Sequence, residues 1–183
     1  MAYINKFISN PKTGQSYLFL QTAASTQGSL LEMESSFRPG SAQPPDHYHP
    51  TQAEDFTILE GVLTVKINGQ ILQLQKGDTL HVPINTVHAM WNSSNEKTVV
   101  NWKVQPALHS EQLFETFAGL ALDGKTNDLG MPPLLQSVLV AKKFSDEFRL
   151  AKPSYTIQKI VFAILAPIGK LFAYTSNFEK YFD

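Results

Sequence analysis

Two stretches decide how this chain is read: GSAQPPDHYHPTQAE over residues 40–54, running on to Gly61, and GDTLHVPINTVHAMWN over residues 77–92. They hold four of the five histidines. His47, His49 and Glu54 fall within eight residues, and His88 follows in the second stretch. Three imidazoles and one carboxylate make a ligand set for a divalent transition metal, with N and O donors and no thiolate.

The spacing carries a direction. Pro44 and Pro45 hold the backbone extended, because the residue before a proline is pushed out of the helical region. On an extended chain, side chains two apart share a face. His47 and His49 therefore point one way and Tyr48 the other; a helix would need a spacing of three or four. Glu54 opens a strand to Leu59, with Phe56 and Ile58 on its face. His88, Met90 and Asn92 share a face of another.

Outward from these stretches the pattern stays extended. Residues 17–20 read as an edge strand. Residues 29–37 alternate, with Leu31, Met33, Ser35 and Phe37 on one face and Glu32 and Glu34 on the other. Asn68-Gly69 between residues 62–67 and 71–75 is a hairpin signal, since both turn positions need positive φ. Strands over 79–83, 88–92 and 97–104 complete a series with turns every eight to twelve residues. This predicts an antiparallel sandwich or barrel, a mainly β fold.

At Pro106 the period changes to that of helices. Ser110 is placed to cap a helix over 111–122, with Leu113, Phe117 and Leu120 on one stripe. Pro132 and Pro133 open a second, carrying Leu134, Val138, Ala141 and Phe144. Pro153 and Ser154 open a third, with Ile157, Ile160, Val161, Ile164, Leu165 and Ile168 as its packing stripe; Pro167 and Gly169 are expected to kink or end it. The division expected is a barrel over 1–105 and a helical extension over 106–183.

Composition narrows the function. The 183 residues carry 15 Lys+Arg against 16 Asp+Glu, and no like-charge run suggests a nucleic-acid partner. There is no cysteine, hence no disulfide framework. No secretory signal is read at the N-terminus, so a cytoplasmic location is expected. The apolar run 160–169 is too short for a bilayer, which needs about 20 residues, and no membrane association is expected.

The two stretches resemble the paired motifs of the cupin superfamily. Gly40, His47, His49, Glu54 and Gly61 match the first motif. Gly77, Pro83, His88 and Asn92 match the second, with Asn85 where the family usually has glycine; asparagine tolerates the left-handed turn. The resemblance covers about residues 15–105, and the tail looks like that of small single-cupin bacterial proteins. It implies a double-stranded β-helix, or jelly-roll, barrel. It also implies metal ligation by His47, His49, Glu54 and His88, with iron, manganese, nickel, copper or zinc as the ion, and a homodimer.

Within that frame Glu54 is either a plain fourth ligand or a general base, as in quercetinase-like cupins. Met33, Phe56, Ile58 and Met90 are pocket candidates, with Trp91 and Trp102 beside them. His81 reads as a satisfied structural histidine and His109 as a surface residue. The extension is expected to pack over the barrel mouth or against a second subunit. The function expected is a metal-dependent enzyme on a small apolar or aromatic organic molecule, with quercetinase-like dioxygenation first. A redox-neutral cyclase, isomerase or lyase and a non-catalytic ligand-binding module are the alternatives.

Overall fold

The computed structural model describes residues 2–175 and 177–182. Its strands are β1 (Phe7–Ser9), β2 (Ser16–Gln21), β3 (Leu31–Phe37), β4 (His47–Tyr48), β5 (Ala53–Glu60), β6 (Val62–Ile67), β7 (Gln70–Gln75), β8 (Thr79–Val82), β9 (His88–Trp91), β10 (Thr98–Gln105) and β11 (Arg149–Leu150). Helices α1 (Ser110–Leu122) and α2 (Leu134–Lys143) precede β11, and α3 (Tyr155–Leu171) follows it. Two antiparallel sheets face each other, in the orders β1-β2-β3-β10-β5-β8 and β11-β4-β9-β6-β7. The fold is the expected mainly β, double-stranded β-helix with a helical extension.

Strand alternation sets the interior. Along β3 every second residue from Leu31 to Phe37 is buried, and the residues between are half-buried. β10 lies between β3 and β5, so Trp102 sits opposite Met33 on one side and Phe56 on the other. Phe19, Leu31, Met33, Phe56, Ile58, Leu63 and Val65 are at most 1% exposed in the barrel core. Fully burying one such aliphatic or Phe side chain stabilises the fold by about 1.5–3 kcal/mol.

Turn chemistry brings the two histidine-bearing stretches together. Asn68 and Gly69 take φ of 48° and 84° between β6 and β7, as the hairpin required. Asn85 adopts φ 58°, the left-handed turn expected there. From that turn its N–H donates to the carbonyl of His49 at 2.8 Å.

Several local expectations are corrected. β2 is not an edge strand, because β1 pairs along its outer side. Ser110 does not cap α1: His109 holds that position, and Ser110 Oγ accepts from buried Gln52 Nε2 at 2.8 Å instead. α3 runs through Pro167 and two residues past Gly169. A proline removes one N–H donor without forcing an end, and Gly169 lets α3 approach the Leu135 carbonyl closely. The buried face of α3 is Gln158, Phe162, Ala166 and Gly169, with Val161 and Leu165 of the expected stripe packed beside it; Ile157, Ile160, Ile164 and Ile168 point outward. The periodic stripe was real, but α3 is apolar nearly all round, and α2 covers the other side.

The extension is joined to the barrel. β11 pairs with β4, so the five-stranded sheet takes an edge from beyond Pro106. Lys6 Nζ meets Glu115 Oε1 of α1 at 2.7 Å in a buried ion pair. Among the described residues no helix is long and apolar enough to cross a membrane.

Gly61 turns β5 into β6 at φ 72°, and a Cβ there would lie 2.3 Å from the Lys97 carbonyl oxygen. At Gly69 a Cβ would meet nothing within 4 Å. Gly69→Ala is therefore expected to cost only the left-handed penalty of about 1–2 kcal/mol. Gly61→Ala should cost clearly more, because backbone must move. Urea denaturation of the two variants measures this, and equal losses would contradict the close approach.

Candidate metal centre

Three strands and one turn deliver the four side chains. His47 on β4 sits directly opposite His88 on β9. His49 follows two residues after His47, and Glu54 enters from β5 in the other sheet. The imidazole centroids are 4.5 Å apart for His47 and His88, and 5.2 Å for His49 with either. One ring nitrogen from each histidine lies within 4.8 Å of the other two. His49, His88 and Glu54 are buried, and His47 is half-buried.

Backbone carbonyls orient the rings. His47 Nδ1 donates to the Pro45 carbonyl at 3.1 Å and His88 Nδ1 to the Thr86 carbonyl at 2.9 Å. His49 Nδ1 donates to the carbonyl of Glu147, 98 residues away. A carbonyl only accepts, so each Nδ1 carries a proton and a neutral ring presents its lone pair at Nε2. A metal-bound histidine takes the same arrangement.

The carboxylate sharpens the case. Glu54 Oε2 lies 2.9 Å from His88 Nε2, and Glu54 Oε1 lies 3.3 Å from His49 Nε2. Yet His49 Nε2, His88 Nε2 and Glu54 Oε2 are buried with no hydrogen-bond partner. Lone pairs facing lone pairs in a buried site are costly unless a cation stands between them. Two donors each about 2.1 Å from one ion, at about a right angle, are about 3 Å apart. The donor set and its spacing thus fit a divalent transition metal.

The titration of the cluster follows from the same crowding. Burial, with His88 and His49 adding to it, pulls the His47 imidazole down to about 3. Burial also opposes charge on His49, but the neighbouring Glu54 charge outweighs it and raises its pKa. Burial alone would raise Glu54; the positive charge on His49 reverses this and holds the carboxyl below the usual carboxylate range. In the metal-free protein these two shifts favour the protonated form of His49 and the ionised form of Glu54. Trp102 Nε1 donates to Glu54 Oε1 at 3.1 Å and fixes its plane.

His47, His49 and Glu54 open onto a cavity of about 260 Å³. Its barrel wall includes Tyr17, Phe37, Met90 and Trp102, and its other wall is the extension, with Phe114, Phe117, Phe144 and Phe148. No lysine or arginine lines it among the described residues. Outside, a cleft of about 970 Å³ shares the walls of Pro44, Pro45, Met90 and Leu150 and is charged, with Arg38, Asp46, Lys66 and Lys152.

Of the pocket candidates, Met90 lines this cavity, whereas Met33, Phe56 and Ile58 are packed into the barrel core and do not. They share a strand face with the site but lie too deep, under Trp102 in the case of Phe56 at 5.3 Å. His81 pairs with Asp55 at 2.7 Å on the exposed side of the barrel. Asn92 is fully buried and ties its own turn, donating to the carbonyls of Phe37 and Glu96. Sequence reasoning missed Glu147 and the aromatic wall of the extension. The stripe of α1 that holds Phe117 was legible, but not that it faces a cavity.

A sign follows for the metal-free protein. His47 is neutral in the fold down to about pH 3 but takes a proton near 6.5 once unfolded. Between those values the unfolded chain binds more protons, so stability falls as pH falls from 6.5 toward 3. Glu54, depressed in the fold, adds loss in the same direction below its unfolded value of 4.5. Melting of chelator-treated protein should decline over this window. His47→Gln should flatten the decline above pH 5; an unchanged slope there would refute a neutral His47.

Comparison with known proteins places these features. Residues 33–103 match the Cupin_2 family, described as a cupin domain. Quercetin 2,3-dioxygenase of Bacillus subtilis (strain 168) is 54% identical over 44 residues, 24% of this chain and only 13% of that protein. "Probable oxidoreductase virH" of Hypocrea virens is 26% identical over 156 residues, 78% of this chain and 69% of that one. An RmlC-like cupin from Shewanella frigidimarina superposes with a TM-score of 0.48 at 20% identity, over 57% of this chain and 86% of the other. Both histidine-bearing stretches lie inside the region, residues 33–103, that matches the cupin domain.

Proposed function

We propose that this protein is a metal-dependent enzyme acting on a small, apolar, aromatic organic molecule, and that its reaction is a dioxygenation of the quercetinase kind. The observation that carries this reading is the convergence of three imidazoles and a carboxylate on an aromatic-walled cavity without lysine or arginine. The 54% identity to a quercetin 2,3-dioxygenase over 44 residues supports the oxidative form.

His47, His49 and His88 through Nε2, with Glu54 through a carboxylate oxygen, would hold one divalent transition-metal ion. Such an ion, when bound, supplies Lewis acidity and open positions for a substrate oxygen or dioxygen. The remaining work belongs to the chain. The aromatic walls stack a flat substrate and keep water from the reacting face. Among the described residues the cavity lining has no lysine or arginine to pair with a phosphate or sulfate, which disfavours such substrates. Glu54, ionised and steadied at Oε1 by Trp102, is placed to accept an acidic hydroxyl proton at Oε2.

Purified protein should contain one transition-metal ion per chain by elemental analysis, and His49→Ala should lose it. Glu54→Gln should keep most of the metal while turnover drops by about 10²–10⁴-fold, the usual worth of a general base. Oxygen uptake over a panel of flavonols, catechols and diketones gives the activity. Turnover under strict anoxia would move the reaction to a redox-neutral class. Full metal retention in His49→Ala would break the site.

A further inference from the structure

One segment of the extension runs antiparallel beside the strand that carries His47 and ends just before His49. β11 pairs with β4, placing Leu150 opposite His47 and Arg149 opposite Tyr48. The pairing continues as Ala151 N–H donates to the Asp46 carbonyl at 2.9 Å. The Phe148 ring lies 4.8 Å from that of His47. One residue before Phe148, the Glu147 carbonyl accepts the His49 Nδ1 proton.

The Glu147 side chain is itself pinned. It is 4% exposed, and its Oε1 accepts from the His109 main-chain N–H at 3.1 Å and from His109 Nδ1 at 3.0 Å. His109 heads α1, and its ring is mostly in solvent. A buried carboxylate from one part of the extension is thus tied to the start of another. The peptide that carries it presents its oxygen to a histidine of the barrel.

We propose that Glu147 is a positioning residue of the metal centre: its side chain, locked to His109, holds the carbonyl that keeps His49 oriented with Nε2 toward the ion. The proposal rests on the metal-dependent reading above and adds what the two motifs lack. His47 and His88 take their orienting carbonyls from Pro45 and Thr86, each two residues away, so the local chain supplies them. His49 alone takes its carbonyl from a distant segment. Without that acceptor its ring is free to exchange tautomers and rotate, and the ion must then order it on binding. Removing an outer partner of a metal-bound histidine weakens binding by about 10–100-fold. A packing role alone would lower stability and leave the affinity of the folded protein intact.

The test uses full-length protein and Zn²⁺ alone, titrated in competition with a chromophoric chelator. Circular dichroism reports folding, and the ¹⁵N imidazole spectrum of His49 reports its tautomer. Glu147→Ala is expected to bind Zn²⁺ about 10–100-fold more weakly and to lose the single Nδ1–H signature. Glu147→Gln keeps an acceptor oxygen and should restore both to within about threefold, the scatter of a conservative change at an outer position. Folded Glu147→Ala with wild-type affinity and an unchanged His49 signature would overturn the proposal. If Glu147→Ala does not fold, Glu147→Met, which fills similar space without an acceptor for either His109 donor, takes its place; weaker binding supports the proposal and wild-type affinity overturns it. Failure of the wild-type protein to bind Zn²⁺ would instead defeat the metal-dependent reading itself.

Discussion

A buried carboxylate that faces imidazole lone pairs needs a positive charge between them, and the site is built around that requirement. Glu54 is 1% exposed and stands within 3.3 Å of two ring nitrogens whose own protons are turned away onto backbone carbonyls. In an apolar surround such a group is stable only beside a cation, whether a proton on His49 or a metal ion shared by all four side chains. The depressed pKa of Glu54 and the raised pKa of His49 are two views of that constraint.

The barrel and the extension divide the remaining tasks. The barrel supplies all four candidate ligands and the tryptophan that steadies the carboxylate. The extension supplies half of the aromatic wall, a strand for the sheet edge and the carbonyl behind His49. The inner cavity is walled mainly by apolar side chains, and the neighbouring cleft adds Arg38, Asp46, Lys66 and Lys152. The outward face of α3, with Leu171 83% exposed, takes no part in this cavity.

The candidate site was legible because its signal is local. Two histidines at i and i+2 after two prolines have one geometric reading, whereas Glu54, on a strand of the other sheet, was legible through its spacing in the motif. The Asn-Gly hairpin and the left-handed Asn85 were readable for the same reason, since backbone sterics at one residue decide them. The pocket was less legible. Parity says which face Met33, Phe56 and Ile58 share, but not how far each lies from the mouth, and all three proved to be core. Trp102 was readable only as a neighbour of the pocket; its hydrogen bond to Glu54 depends on how two strands register.

By itself the sequence determined the mainly β fold and the three helices that follow, because each follows from short-range periodicity and turn sterics; that the four side chains converge was an implication of the resemblance to cupins. The tertiary structure alone decided that the extension roofs the cavity. It also decided that Glu147 orients His49, that α3 buries Phe162 rather than its isoleucine stripe, and that Ser110 binds Gln52 instead of capping α1. The physical reason is common to all of them. Contacts between residues tens of positions apart are set by how layers dock. A helix apolar on several faces, or a polar side chain with several possible partners, carries no local mark of which one it will meet.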